Sequence, residues 1–181
     1  MAVRSFHYYF PLLICLLTSV GAGAEDSGSA MFKDLFQYEL NNRAFALLSV
    51  TALAERMQGT EQENFWRAYA DMEKYSQAKY EKIALKYEME VSSSIVKLKV
   101  WTTNIAFYLF PETMMDVMST ATTKYVQKLE PLADLGKEED RAFFNYVLAQ
   151  EQTQALALQH AVNKNYDEAA RSIESFLQQQ K

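Results

Sequence analysis

Residues 143–162 read FFNYVLAQEQTQALALQHAV, and the spacing of their apolar side chains decides the fold class. Phe144, Val147, Leu148, Ala155, Leu158 and Val162 recur at intervals that keep them on one face of an α-helix. Glu151 stands in the middle of that stripe, with Gln154 one turn further on. A carboxylate on a buried face must be ion-paired, hydrogen-bonded, bound to a metal or kept protonated, because a lone charge in an apolar core is too costly.

Two earlier stretches repeat the arrangement. A first helix is expected from about residue 29 to 58, with a stripe of Phe32, Leu35, Phe36, Ala46, Leu47, Val50, Leu53, Ala54 and Met57. Glu39 and Arg43 lie at its centre, one turn apart and able to pair with each other. Phe45 and Leu48 project from the opposite side, a second face for contacts. Gly59 closes this helix, and Thr60, Glu61, Gln62 and Glu63 form a capping box that opens the next. The second helix turns Phe65, Tyr69, Met72, Tyr80, Ile83 and Tyr87 inward, with Ser76 near the middle and Glu73 at the edge. Lys74, Lys79, Glu81, Lys82 and Lys86 form its solvated charged face.

Residues 95–101, IVKLKVW, fit either a strand or the first turns of a helix that continues to Leu109. With no partner strand elsewhere, helix is favoured. Pro111 followed by Glu112 starts a third long helix, presenting Met114, Met118, Ala121, Thr122, Tyr125, Val126 and Leu129. The methionines read as core filler rather than thioether ligands. Residues 132–137 connect to the fourth helix, expected from about 137 to 162, and a short amphipathic helix over 166–177 closes the chain. Its start, Asn163 through Tyr166, Asp167, Glu168, Ala169 and Ala170, resembles half of a tetratricopeptide hairpin, but no repeat of that period occurs elsewhere. The fold expected is all-α: an up-down four-helix bundle with a crossover segment between helices 2 and 3.

The chain has 181 residues and a formal net charge of -5. Its first 24 residues have the layout of a cleaved secretory signal: Arg4, an apolar run over 11–20, then Ala22, Gly23 and Ala24. That run is shorter than the roughly 20 residues a spanning helix needs. Residues 25–30 are expected as a flexible leader and 31–178 as a single helical domain, exported to the periplasm or secreted. Cys15, the one cysteine, lies in the signal, so disulfides and thiolate chemistry are not expected afterwards. The acidic balance, without a basic face, argues against nucleic acid as a partner. No nucleophile motif or phosphate-cradling glycine loop is present, and His160 reads as a capping or surface residue, so an enzyme is not favoured.

The segments FQYELNNRAFALL with Glu39, FWRAYADMEKYSQAKY with Glu73 and FFNYVLAQEQTQAL with Glu151 resemble those of the ferritin-like superfamily, rubrerythrin relatives in particular. Such proteins hold a dimetal centre with a glutamate from each of two helices and a Glu-x-x-His from each of the other two. The resemblance implies iron or manganese ligated by Glu39, Glu73 and Glu151, with oxidoreductase activity. This chain carries Ser76 and Gln154 where the histidines stand in that motif, and no mid-stripe carboxylate on its third helix. The reading favoured from the residues themselves is a buried polar cluster of Glu39, Arg43, Glu73, Ser76, Glu151 and Gln154 without metal or cofactor, in a non-catalytic binding module. Its contact surface would be the aromatic segment from Trp101 to Phe110, or the second face of the first helix. A protein is the expected partner, and peripheral membrane contact through residues 95–110 is a weaker alternative.

Overall fold

The computed structural model describes residues 24–93, 96, 100, 103 and 106–180. Residues 1–23, which cover most of the segment expected as a signal, and Ile95, Leu98 and Trp101 lie outside the described residues. The chain is helical, with no strand among the described residues. Its elements are α1 (Ala24–Arg56), α2 (Glu63–Lys86), α3 (Pro111–Leu129), a single turn α4 (Leu132–Leu135), a 3₁₀ turn (Glu138–Asp140), α5 (Arg141–Val162) and α6 (Tyr166–Gln179). Ser93, Val96, Val100, Thr103 and residues 106–109 are helical, which answers the strand-or-helix question for this segment in favour of helix at every described position. None of the described helices is long and apolar enough to cross a membrane.

Two apolar clusters fix the directions of the helices. One joins Phe32, Phe36 and Leu40 of α1 to Tyr80 and Ile83 of α2, Leu129 of α3, and Phe144 and Val147 of α5. The other joins Val50 and Leu53 to Phe65, Trp66 and Met72, Met115, Leu158 and Ala161, and packs Ala169, Ile173 and Phe176 of α6 against them. Hence α1 and α5 run one way and α2 and α3 the other. The chain leaves α2 at Tyr87, beside Phe32, and has reached the far end by Phe107, whose ring meets Trp66 edge-on. That passage along the bundle is the crossover. Helix α6 turns back along α5 and α2, where the Tyr75 hydroxyl donates to the carbonyl of Gln180.

Local chemistry explains the boundaries, with several departures from expectation. Residues 25–30, expected as a flexible leader, continue α1 back to Ala24; once a helix exists, each added residue gains a backbone hydrogen bond at little cost. The capping contacts shift by a residue: the Glu63 carboxylate reaches back to the Gly59 amide at 2.8 Å, while the Thr60 hydroxyl accepts from Gln62. Gly59 has φ +74°, a conformation that favours glycine. α5 begins at Arg141, four residues later than expected, because residues 138–140 form the 3₁₀ turn. Gly136 just before it is held by space: a Cβ there would lie 2.5 Å from the Phe144 ring. α3 is the least buried long helix, covering only Met115 and Leu129 fully and leaving Ala121 exposed. α6 runs on to Gln179, two residues past its expected end.

Candidate functional site: a guanidinium among three carboxylates

Between the two apolar clusters lies a layer of buried polar side chains. Glu39, Arg43, Glu73, Ser76, Glu151 and Gln154 are all buried, Glu39 and Glu151 completely. The helical period accounts for this locally, since each residue sits in the inward stripe of its own helix. What joins them is Arg43. Its Nε lies 3.2 Å from Glu39 Oε1, its Nη1 donates to Glu73 Oε1 at 2.7 Å, and its Nη2 pairs with Glu151 Oε1. Each of the three nitrogens thus faces a different carboxylate, from α1, α2 and α5. A planar guanidinium, charged at any ordinary pH, is suited to such a role, whereas an ammonium is a point charge.

The carboxylates are not equivalent. Glu39 is the best supplied: the Tyr80 hydroxyl donates to Oε1 at 2.7 Å and the Tyr125 hydroxyl to Oε2. Glu73 accepts a second bond from Gln154 Nε2 at 2.7 Å. Among the described residues, Glu151 Oε2 has no hydrogen-bond partner, and neither has Gln154 Oε1. Burial pushes the Glu73 carboxyl up to about 7, against the pull of Arg43 and with a further push from Glu39. Burial also drives Glu151 well above the usual carboxylate range; Arg43 opposes this, while Glu39 and Glu73 add to it. On Arg43 burial works against the charge, yet Glu151, Glu73 and Glu39 outweigh it and hold the guanidinium protonated. Tyr69, Tyr80 and Tyr125 are raised by burial and by the neighbouring glutamates, so their hydroxyls remain donors.

Ser76 belongs to the same layer without touching the glutamates. Its hydroxyl donates to the Met72 carbonyl at 2.8 Å and accepts from Tyr146 at 2.7 Å. His160 sits in the last turn of α5, away from this layer, with its carbonyl receiving the amides of Asn163 and Asn165. The sequence did not say which tyrosines would supply the glutamates, and it missed one buried polar side chain. Tyr80 and Tyr125 read as ordinary stripe residues, and Gln150, wholly buried, was not singled out. A signal for the last existed: Gln150 stands four residues before Gln154, so the two share a face.

The residues do not suit the iron or manganese centre that the ferritin-like resemblance implies. A guanidinium already lies among the three carboxylates, one oxygen of each drawn to a separate nitrogen, and no imidazole joins them among the described residues. Among the described residues, no three His, Cys, Asp or Glu side chains are arranged to hold a metal ion. A shallow groove of about 200 Å³ between α1 and α2 is bordered by Glu55, Glu63, Arg67, Asp71 and Lys74, and its lining includes none of the buried cluster. The chain matches no family model, no curated protein and no solved structure.

Proposed function

We propose that this chain is an exported, non-catalytic helical-bundle protein that acts by binding a protein partner, its buried charged layer serving structure alone. The observation that carries this reading is the placement of Arg43, which engages all three carboxylates that a catalytic metal would require. The contact surface we assign is the end of the crossover. Tyr108, Leu109 and Phe110 are 77, 56 and 62% exposed in succession, while Phe107 beside them is buried as the anchor. A contiguous exposed apolar run is characteristic of interaction sites. Export rests on the signal-like layout of the first 24 residues.

Elemental analysis of the purified protein after exposure to iron, manganese and zinc tests the non-catalytic part. The expected result is no stoichiometric metal; metal retained by the wild type and lost in Glu151→Gln would overturn it. For the surface, a Tyr108→Ser/Phe110→Ser double variant should keep the helical spectrum and midpoint of the wild type. Flotation with liposomes of either protein would replace the protein partner by a membrane.

A further inference from the structure

We propose that α3 is a hinged cover: it opens as one unit while the rest of the bundle stays folded, and the Tyr125 hydroxyl is its latch. The inference goes beyond the partner-binding reading and does not depend on it. Burial sets α3 apart. It hides two of its nineteen residues, Met115 and Leu129, one near each end. By contrast, α2 hides ten of twenty-four and α5 nine of twenty-two. Met115 belongs to one apolar cluster and Leu129 to the other, with Met114, Met118 and Tyr125 only partly buried against them. A helix with few buried apolar contacts opens at a lower free energy than the fold as a whole. Proline bounds both ends, Pro111 at the first helical position and Pro131 just past the last turn. Neither proline has an amide to carry helical bonding across its boundary.

Between those ends, one side-chain hydrogen bond among the described residues reaches the buried layer: Tyr125 Oη donates to Glu39 Oε2. The other polar ties of α3 lie at the surface, where Lys128 Nζ is 4.0 Å from the centre of the Tyr38 ring and Glu112 is 3.5 Å from Lys164. Exposed ties of that kind exchange readily with water, whereas a hydrogen bond to a buried carboxylate is among the stronger ones. Release of α3 therefore turns on Tyr125. Glu39 keeps Tyr80 and Arg43 when the latch opens, so the charged layer holds together. Opening uncovers the side of α5 against which α3 packs. It also frees Met115 and Met118, adaptable side chains that follow closely on the exposed run of Tyr108, Leu109 and Phe110.

Hydrogen–deuterium exchange of the full chain, resolved helix by helix at low denaturant, tests the inference. In the wild type the α3 amides should exchange together, roughly tenfold or more faster than those of α2 and α5, and with little dependence on denaturant. Tyr125→Phe should speed α3 by a further factor of roughly ten or more, as expected for loss of a hydrogen bond to a charged group. Tyr80→Phe removes the other phenol from the same carboxylate, but the Tyr80 bond persists whether α3 is open or closed. That variant should speed α2 and α5 and leave α3 unchanged. Equal protection of α3, α2 and α5 in the wild type overturns the inference, and so does a Tyr80→Phe variant that speeds α3 as much as Tyr125→Phe does. If either variant does not fold, the wild-type profile decides by itself.

Discussion

Two charged clusters tie distant parts of this bundle together, and they differ mainly in their surroundings. In the core, Arg43 holds Glu39, Glu73 and Glu151 with its own side chain only 8% exposed. At the end of the bundle, Lys86 pairs with Glu139 and Asp140 of the 3₁₀ turn while 35% exposed, and the Tyr87 hydroxyl donates to Asp140 at 2.9 Å. Both consist of one cation and a surplus of carboxylates. In water such contacts exchange readily with solvent and are worth little; inside a core the same groups have no alternative partner. What separates the two is the cation: a buried guanidinium that faces three carboxylates at once, against a half-exposed ammonium.

The two clusters also answer pH in opposite senses. Burial raises Glu73 to about 7 and Glu151 well above the usual carboxylate range, so the folded chain retains protons that the unfolded chain has lost. Asp140 is pushed up by partial burial, but its bonds from Lys86 and Tyr87 prevail and hold it below the usual carboxylate range. The core cluster therefore adds stability that is full below the ordinary carboxylate pKa and fades as pH rises through the folded values. The outer cluster adds stability present at neutral pH and lost as pH falls through the folded value of Asp140.

Breaking the core cluster should have the largest effect. Arg43→Met leaves three carboxylates buried around an apolar side chain, and chemical denaturation should show a loss of about 3–5 kcal/mol, the usual consequence of removing one partner of a buried pair. The second test varies pH alone. Between pH 5 and pH 8 the wild type should lose up to about 3 kcal/mol from Glu73, whose carboxyl rises from 4.5 to about 7. Glu73→Gln should flatten that alkaline decline; a wild-type profile that is level or rises over the same range would break the contrast between the clusters. The smallest effect belongs to Lys86→Met, which should move the midpoint least and shrink in molar salt, because the half-exposed ammonium and the exposed Glu139 are screened. A Lys86 variant as damaging as Arg43→Met would show that exposure does not separate the two clusters.

Much of this was legible from the sequence because it is local. The three-and-four spacing places Glu39 and Glu151 on the inward faces of their helices and Glu73 at the edge of its own, whatever those helices pack against. Pro111 marks the start of α3 for an equally local reason: its missing amide has no partner to lose at a first helical position. Where neighbours in sequence were a poor guide, expectation slipped. The 3₁₀ turn before α5 is tied to Lys86 and Tyr87, some fifty residues earlier, and Gly136 is required by the ring of Phe144.

The buried cluster divides along the same line. By itself the sequence determined the helices, the residues that face inward and one permitted pair, Glu39 with Arg43, because four residues make a single turn. Only the tertiary structure decided that the same guanidinium also takes Glu73 and Glu151, and that tyrosines from α2 and α3 supply Glu39. Periodicity states which way a side chain points from its own axis. Which atoms it meets depends on the register and spacing of helices far apart in the chain, and these are set by packing the two apolar clusters on either side.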